Sequence, residues 1–145
     1  MYKYSFEKLE VWMNASAFVT EIYSVSKTFP TEEKYLLCSQ MQRAAISIVS
    51  NIAEGVSRTS PKEKSRFIEI AYGSLMETYC QLCIALDLKY ITKDKFCEIK
   101  ETINKIANKL NALNRYYKNK ITNKTQLPNS TITRFNNNPV KQLHN

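Results

Sequence analysis

Cys80 and Cys83, three residues apart, form the pair whose type and spacing most directly suggest chemistry in this sequence. On a helix that spacing brings both thiols toward one side, as a metal or redox pair requires. A structural zinc site takes four ligands, whereas Cys38 and Cys97 stand alone in the sequence, so the expected role of the cysteines is core packing as small hydrophobes. The single histidine, His144, is next to last, which leaves no rigid Cys-His or Ser-His pair. Two glycines cannot build a phosphate-cradling loop, and Glu32-Glu33 sits at a helix start where capping explains it. These residues imply no enzyme, no metal and no cofactor.

Charge gives a stronger signal. Residues 1–99 hold 12 Lys/Arg and 12 Asp/Glu, whereas residues 100–145 hold nine Lys/Arg against the single acid Glu101, so the net +8 lies wholly at the C-terminal end. Lys100, Lys105, Lys109, Arg115 and Lys118 alternate there with Asn104, Asn108 and Asn111, and lead into Lys120, Lys124, Arg134 and Lys141. Cations with so few intervening acids attract phosphate backbones through counterion release and need no base readout. Lys100, Lys105, Lys109, Arg115, Lys118, Lys120 and Lys124 are therefore the candidate nucleic-acid contacts, for RNA or DNA without sequence preference. A solvated helix face is the alternative.

A second polar set occupies QRAAISIVSNIAEGVSR, residues 42–58. At 100° per residue, Arg43, Ser47, Ser50, Asn51, Glu54, Ser57 and Arg58 fall within an arc of about 120°, and apolar side chains take the rest. A bundle helix needs an apolar face only a little wider than about 100°. The next helix repeats the surplus with Phe67, Ile68, Ala71, Tyr72, Leu75, Met76, Tyr79, Leu82, Cys83 and Leu86, and carries Gly73-Ser74 mid-helix, where glycine costs about 1 kcal/mol relative to alanine unless a close approach offsets it. Surplus grease of this kind marks an oligomer interface. Arg43, Ser47, Asn51, Glu54, Gly73 and Ser74 are its candidate residues, with Arg43 and Glu54 placed to pair across a subunit boundary. A stripe that faces solvent or pairs within one bundle is the alternative.

Four helices must position these residues. Ser5 is read as the cap of the first, running to about Lys27; Thr31 caps the second, which leaves through Gly55 or Ser57 on left-handed glycine geometry. Ser60, Pro61 and Glu63 form a capping box for the third, which runs to about Leu88, and Thr92 caps the fourth, to about Lys118. Phe96, Ile99, Ile103, Ile106, Leu110, Leu113 and Tyr117 recur at alternating spacings of 3 and 4 and form a bundle seam; Leu9, Trp12, Val19 and Tyr23 give a looser one on the first helix, with Phe18 and Ile22 widening its apolar side. Short connections make successive helices antiparallel, so the expectation is all-α, an up-down-up-down left-handed four-helix bundle over residues 1–118. Residues 119–145, rich in Asn and Thr, read as a disordered basic tail. No stretch reaches the roughly 20 apolar residues that span a bilayer, and the opening lacks a signal-length apolar run, so a cytoplasmic location is expected.

The combination of FEKLEVW, IYSVSKTFPTEEKYLLCSQMQRAAISIVSNIAEGVSR and RFIEIAYGSLMET resembles the 23S rRNA-intervening-sequence proteins, over about residues 4–118. The resemblance implies an up-down bundle that assembles into a homopentameric ring, with family motif positions at Arg43, Ser47, Asn51, Glu54, Gly55 and Gly73-Ser74. It is more distantly similar to the ring-shaped accessory protein of diversity-generating retroelements, a basic partner of nucleic acid and reverse transcriptase. Family members usually end soon after the fourth helix, so residues 119–145 depart from the pattern.

The expected function is a non-enzymatic homo-oligomeric scaffold that binds RNA or DNA through backbone electrostatics and recruits a partner enzyme. One alternative is an interaction ring with no nucleic-acid role; another is an accessory subunit of a retroelement reverse transcriptase.

Overall fold

Alternating apolar positions at helical spacing build four helices in the computed structural model, which describes residues 1–125: α1 Glu10–Ser26, α2 Leu37–Ser57, α3 Pro61–Asp87 and α4 Lys93–Thr125. The chain is all-α, and the described residues contain no strand. Short 3-10 turns at Phe6–Lys8 and Thr31–Glu33 precede α1 and α2.

Two of the expected helix starts hold. Ser60 Oγ accepts from the Glu63 amide at 3.1 Å with Pro61 in the first turn, and Thr92 Oγ1 accepts from the Lys95 amide at 3.2 Å. The Glu63 carboxylate pairs with Arg66 at 3.3 Å.

The other two starts are corrected. Ser5 makes no side-chain cap, and Leu9 is extended at φ −84°, ψ 127°, so α1 begins at Glu10. Thr31 opens only a 3-10 turn; α2 begins at Leu37, whose amide donates to the Glu33 carboxylate at 3.3 Å. That acid replaces the expected threonine cap, and its other oxygen accepts from the Tyr90 hydroxyl at 3.0 Å, which ties the α2 entry to the α3–α4 loop. α3 ends with Lys89 at φ 60° while the Tyr90 amide reaches back to the Ala85 carbonyl at 2.8 Å, a left-handed closure without glycine.

Gly55 stays helical, without positive φ, and α2 continues to Ser57. Its lack of a side chain serves packing instead of an exit: a Cβ there would stand 2.8 Å from Phe67 Cβ and 3.2 Å from the Lys64 carbonyl. α4 also overruns its expected end by seven residues. Its outer turns at 119–125 are helical, so the bundle limit at 118 and the tail start at 119 are both displaced, and the rest of the expected tail, 126–145, lies outside the described residues. Propagating an existing helix needs no new nucleation, which lets polar residues such as Asn119 and Thr122 follow the seam beyond its last apolar anchor.

The core is built from Phe18, Ile22, Met41, Ile48, Ile52, Ile68, Leu75, Leu82, Ile99, Ile106 and Leu110, each fully buried. The seam on α4 lies where its periodicity puts it, with Phe96 and Leu113 packed at its margin. On α1 the buried row is Val11, Ala15, Phe18, Ile22 and Val25, so the expected Phe18 and Ile22 lie at its centre, whereas Leu9, Trp12, Val19 and Tyr23 are half-buried at its margin. Ala15 carries little apolar weight in a sequence pattern, yet its small size permits close helix approach.

α2 and α3 are the central pair, α2 packing on α1 and α3, and α3 on α2 and α4; α1 and α4 meet least. This placement accounts for much of the grease on α2 and α3, since two neighbours cover two flanks. Ile46, Ile70 and Ile84 remain, each about two-fifths exposed.

Candidate assembly and nucleic-acid surfaces

The polar stripe of α2 divides between two environments. Ser47 Oγ meets Ser74 Oγ of α3 at 2.8 Å, Asn51 donates to Ser47 Oγ at 3.0 Å and to the Ser47 carbonyl at 2.8 Å, and Ser74 Oγ reaches the Ile70 carbonyl at 3.1 Å. Thr78, fully buried, extends the line by donating to the Ser74 carbonyl at 2.9 Å. Three of the six candidate interface residues are thus joined across the α2–α3 seam within one chain. Burial there leaves each hydroxyl dependent on a partner.

The remaining three face outward. Arg43 is exposed and makes no ion pair among the described residues, whereas Glu54 pairs with Arg58 one turn along its own helix. Gly73 is exposed, and among the described residues nothing stands within 4 Å of where its Cβ would be. Within the chain, the close approach expected at Gly73 occurs at Gly55 instead.

The cations of α4 do not share one face. Lys109 is held by Glu10 at 2.5 Å and Asn14 at 2.6 Å on α1, while Lys118 is held by Glu69 of α3 at 2.6 Å. These two lysines lie on opposite flanks of the helix, each clamping a neighbour. Lys100 reaches over the Tyr79 ring at 5.6 Å and Lys120 over Tyr116 at 4.6 Å. Lys105 and Arg115 are exposed without an ion pair among the described residues. The Lys124 side chain lies outside the described residues.

Glu69 accepts from Lys118 and from Asn114, and those two hydrogen bonds hold its carboxyl below the ordinary carboxylate value. Asn114 in turn accepts from Ser65 at 2.6 Å, so one cluster pins the late turns of α4 to α3. Sequence spacing contains no sign of it, because its members are 45 and 49 residues apart.

Cys38 is buried, and desolvation, aided by the Glu33 charge, pushes its thiol up and keeps it protonated. Cys80 and Cys97 are exposed and Cys83 half-buried, which corrects the expectation of core packing for Cys80 and Cys97. At its position on α3, Cys80 turns away from both flanking helices. Among the described residues no three His, Cys, Asp or Glu side chains gather as a metal site, and no helix is long and apolar enough to cross a membrane.

Two shallow grooves run along the middle of α4 among the described residues. One, between α1 and α4, encloses about 430 Å³ and is lined by Glu10, Asn14, Glu21, Lys105 and Lys109 among others; its acids work against an anionic ligand. The other, between α3 and α4, encloses about 400 Å³ with Tyr72, Tyr79, Lys100, Asn104, Asn108 and Asn111, and has no acid in its lining.

The sequence model of a family described as 23S rRNA-intervening sequence protein matches residues 7–112, which takes in all of α1, α2 and α3 and most of α4. The chain belongs to that family. In fold, it is similar to the 1.70 Å crystal structure of a protein of unknown function from the S23 ribosomal protein family of Bacteroides thetaiotaomicron, with a TM-score of 0.68 and 24% identity over 72% of this chain and 95% of that one. None of the curated proteins matches the chain. The family segment ends at 112, so Arg115, Lys118, Lys120 and the last turns of α4 lie beyond it.

Proposed function

We propose that the protein is a non-enzymatic scaffold, an up-down-up-down left-handed bundle that assembles into a homo-oligomeric, pentameric ring in the cytoplasm and binds nucleic acid through phosphate contacts. One observation carries the reading: the net +8 is confined to residues 100–145, and of the cations on α4 Lys105 and Arg115 stay exposed outside every ion pair among the described residues. Charge left unpaired in this way is available for counterion release. Several copies on one particle would turn weak single contacts into appreciable avidity. A filter-binding titration across ionic strength tests this: affinity should fall steeply with salt, and a flat dependence overturns the reading.

Assembly is supported by the apolar side chains left outward on the central helices, Ile46, Ile70 and Ile84, and by Arg43 and Gly73, exposed on the same two helices without a partner among the described residues. Arg43→Ala should lower the native mass in sedimentation while bundle helicity is kept. An unchanged mass returns Arg43 to solvent.

A further inference from the structure

We infer that the nucleic-acid surface is one end of the bundle, and that its partner is an unpaired strand of RNA whose bases stack on exposed tyrosines there. The inference rests on the nucleic-acid reading above and narrows it to a surface and a class of strand.

The antiparallel contacts define that end. Lys64, early in α3, donates to the Val56 carbonyl of α2 at 2.6 Å and lies over the Tyr117 ring of α4 at 5.6 Å. The end of α2, the start of α3 and the last turns of α4 therefore lie level with one another. Glu10 against Lys109, eight residues before Tyr117, sets the start of α1 about 12 Å short of that level at 1.5 Å per helical residue, with the preceding segment folded back as Phe6 meets Trp12, ring centroids 5.1 Å apart.

Side-chain charge divides along the axis. The segments at this end, 1–10, 54–69 and 112–123, hold nine Lys/Arg and five Asp/Glu, net +4. Those at the opposite end, 21–36 and 77–101, hold six and eight, net −2. A polyanion is drawn to the first and repelled by the second. Lys62 and Arg115 are exposed at the basic end, outside every ion pair among the described residues.

Two segments of this half of the bundle, the one ahead of α1 and the late turns of α4, present aromatic rings to water. Tyr2 is 81% exposed, Tyr4 63% and Tyr116 53%. Tyr4 lies parallel to Phe6, 6.2 Å between centroids at 6°, and Phe6 rests on the half-buried Trp12, so a ladder of rings leads outward from the core. Rings already held in place lose little freedom when a base adds to them. Lys120 sits 4.6 Å over Tyr116, a cation beside a stacking surface.

Phosphate-binding cations interleaved with exposed rings fit a single strand, because a duplex encloses the faces of its bases. Asn119 and Asn123 are exposed on these last turns of α4, and a side-chain amide both donates to and accepts from a ribose 2′-hydroxyl. That chemistry selects RNA over DNA.

Fluorescence anisotropy on the full chain tests the assignment with a short unstructured RNA strand, the same strand in duplex, and a DNA strand of equal sequence. The strand of RNA should be held tightest, and Tyr4→Ala combined with Tyr116→Ala should weaken it roughly thirtyfold or more with an unchanged salt slope. Lys62→Gln with Lys120→Gln should instead flatten the salt slope. Circular dichroism checks that each variant keeps its helices; a tyrosine variant that loses helicity is replaced by Tyr4→Leu with Tyr116→Leu. Equal affinity for strand and duplex, indifference to tyrosine removal, or a DNA strand held as tightly as RNA overturns the inference. Salt-dependent binding that survives any of those results leaves the scaffold reading standing, whereas absence of binding at every salt removes both.

Discussion

Ser47 on α2 and Ser74 on α3 share a hydrogen bond of 2.8 Å across the seam between the central helices. Ser74 is 8% exposed, so this hydroxyl is committed inside its own chain. Losing it should cost about 0.5–1.5 kcal/mol, because Ser47 retains the Asn51 amide as a second partner. Ser74→Ala and Ser47→Ala, alone and together, should show a coupling of about 0.5–1 kcal/mol in chemical denaturation. Additive losses would mean that the two hydroxyls stand close without stabilising one another.

The two glycines should respond in opposite directions to the same change. Gly55→Ala puts a methyl 2.8 Å from Phe67 Cβ and 3.2 Å from a backbone oxygen, neither of which is a flexible tip, so the bundle should lose about 1–3 kcal/mol. Gly73→Ala meets nothing within 4 Å among the described residues and gains helix propensity, about 0.4–1 kcal/mol in the isolated bundle. If Gly73 lies at a contact between copies, Gly73→Gln should keep the thermal transition of a dilute sample and lower its native mass. Equal destabilisation by both alanines would refute the packing difference.

The helix count, the α4 seam and the Ser60-Pro61 start were legible because each is a short-range pattern: a 3.6 period, or a cap within four residues. The α2 start was not, since its cap is the Glu33 carboxylate, oriented by Tyr90 from 57 residues away. Nor does the sequence say which flank of a helix meets which neighbour. Lys109 and Lys118 look alike as charges, and only the packing shows one on Glu10 and the other on Glu69. For the same reason the α2 stripe looked uniform, although Ser47 and Asn51 turn to α3 while Arg43 and Glu54 face water.

Acid should loosen the late turns of α4 first. Glu69 has its folded pKa depressed by Lys118 and Asn114, so it contributes stability above its unfolded value, about 4.3, and that contribution is lost as pH falls through the lower folded value. Side chains about half exposed limit the effect to roughly 0.2–1 kcal/mol. Amide exchange near Asn114–Lys118 should quicken below pH 5 more than exchange in α2. Glu69→Gln should remove that pH dependence; a variant that keeps it would transfer the effect to another carboxylate.

The helical run to Thr125 changes where a truncation tests the C-terminal charge. Cutting at 118 would remove helical turns together with Lys120 and Lys124, so a loss of affinity could reflect lost structure as much as lost charge. Cutting after Thr125 removes only Arg134 and Lys141 among the nine cations of residues 100–145 and leaves α4 whole. Helicity per remaining residue should hold or rise, and the slope of log affinity against log salt should fall by at most about 2, near one unit for each phosphate no longer neutralised. If the shortened chain loses nearly all its salt dependence, the segment beyond Thr125 carries the binding and the cations on α4 serve only to fasten its neighbours.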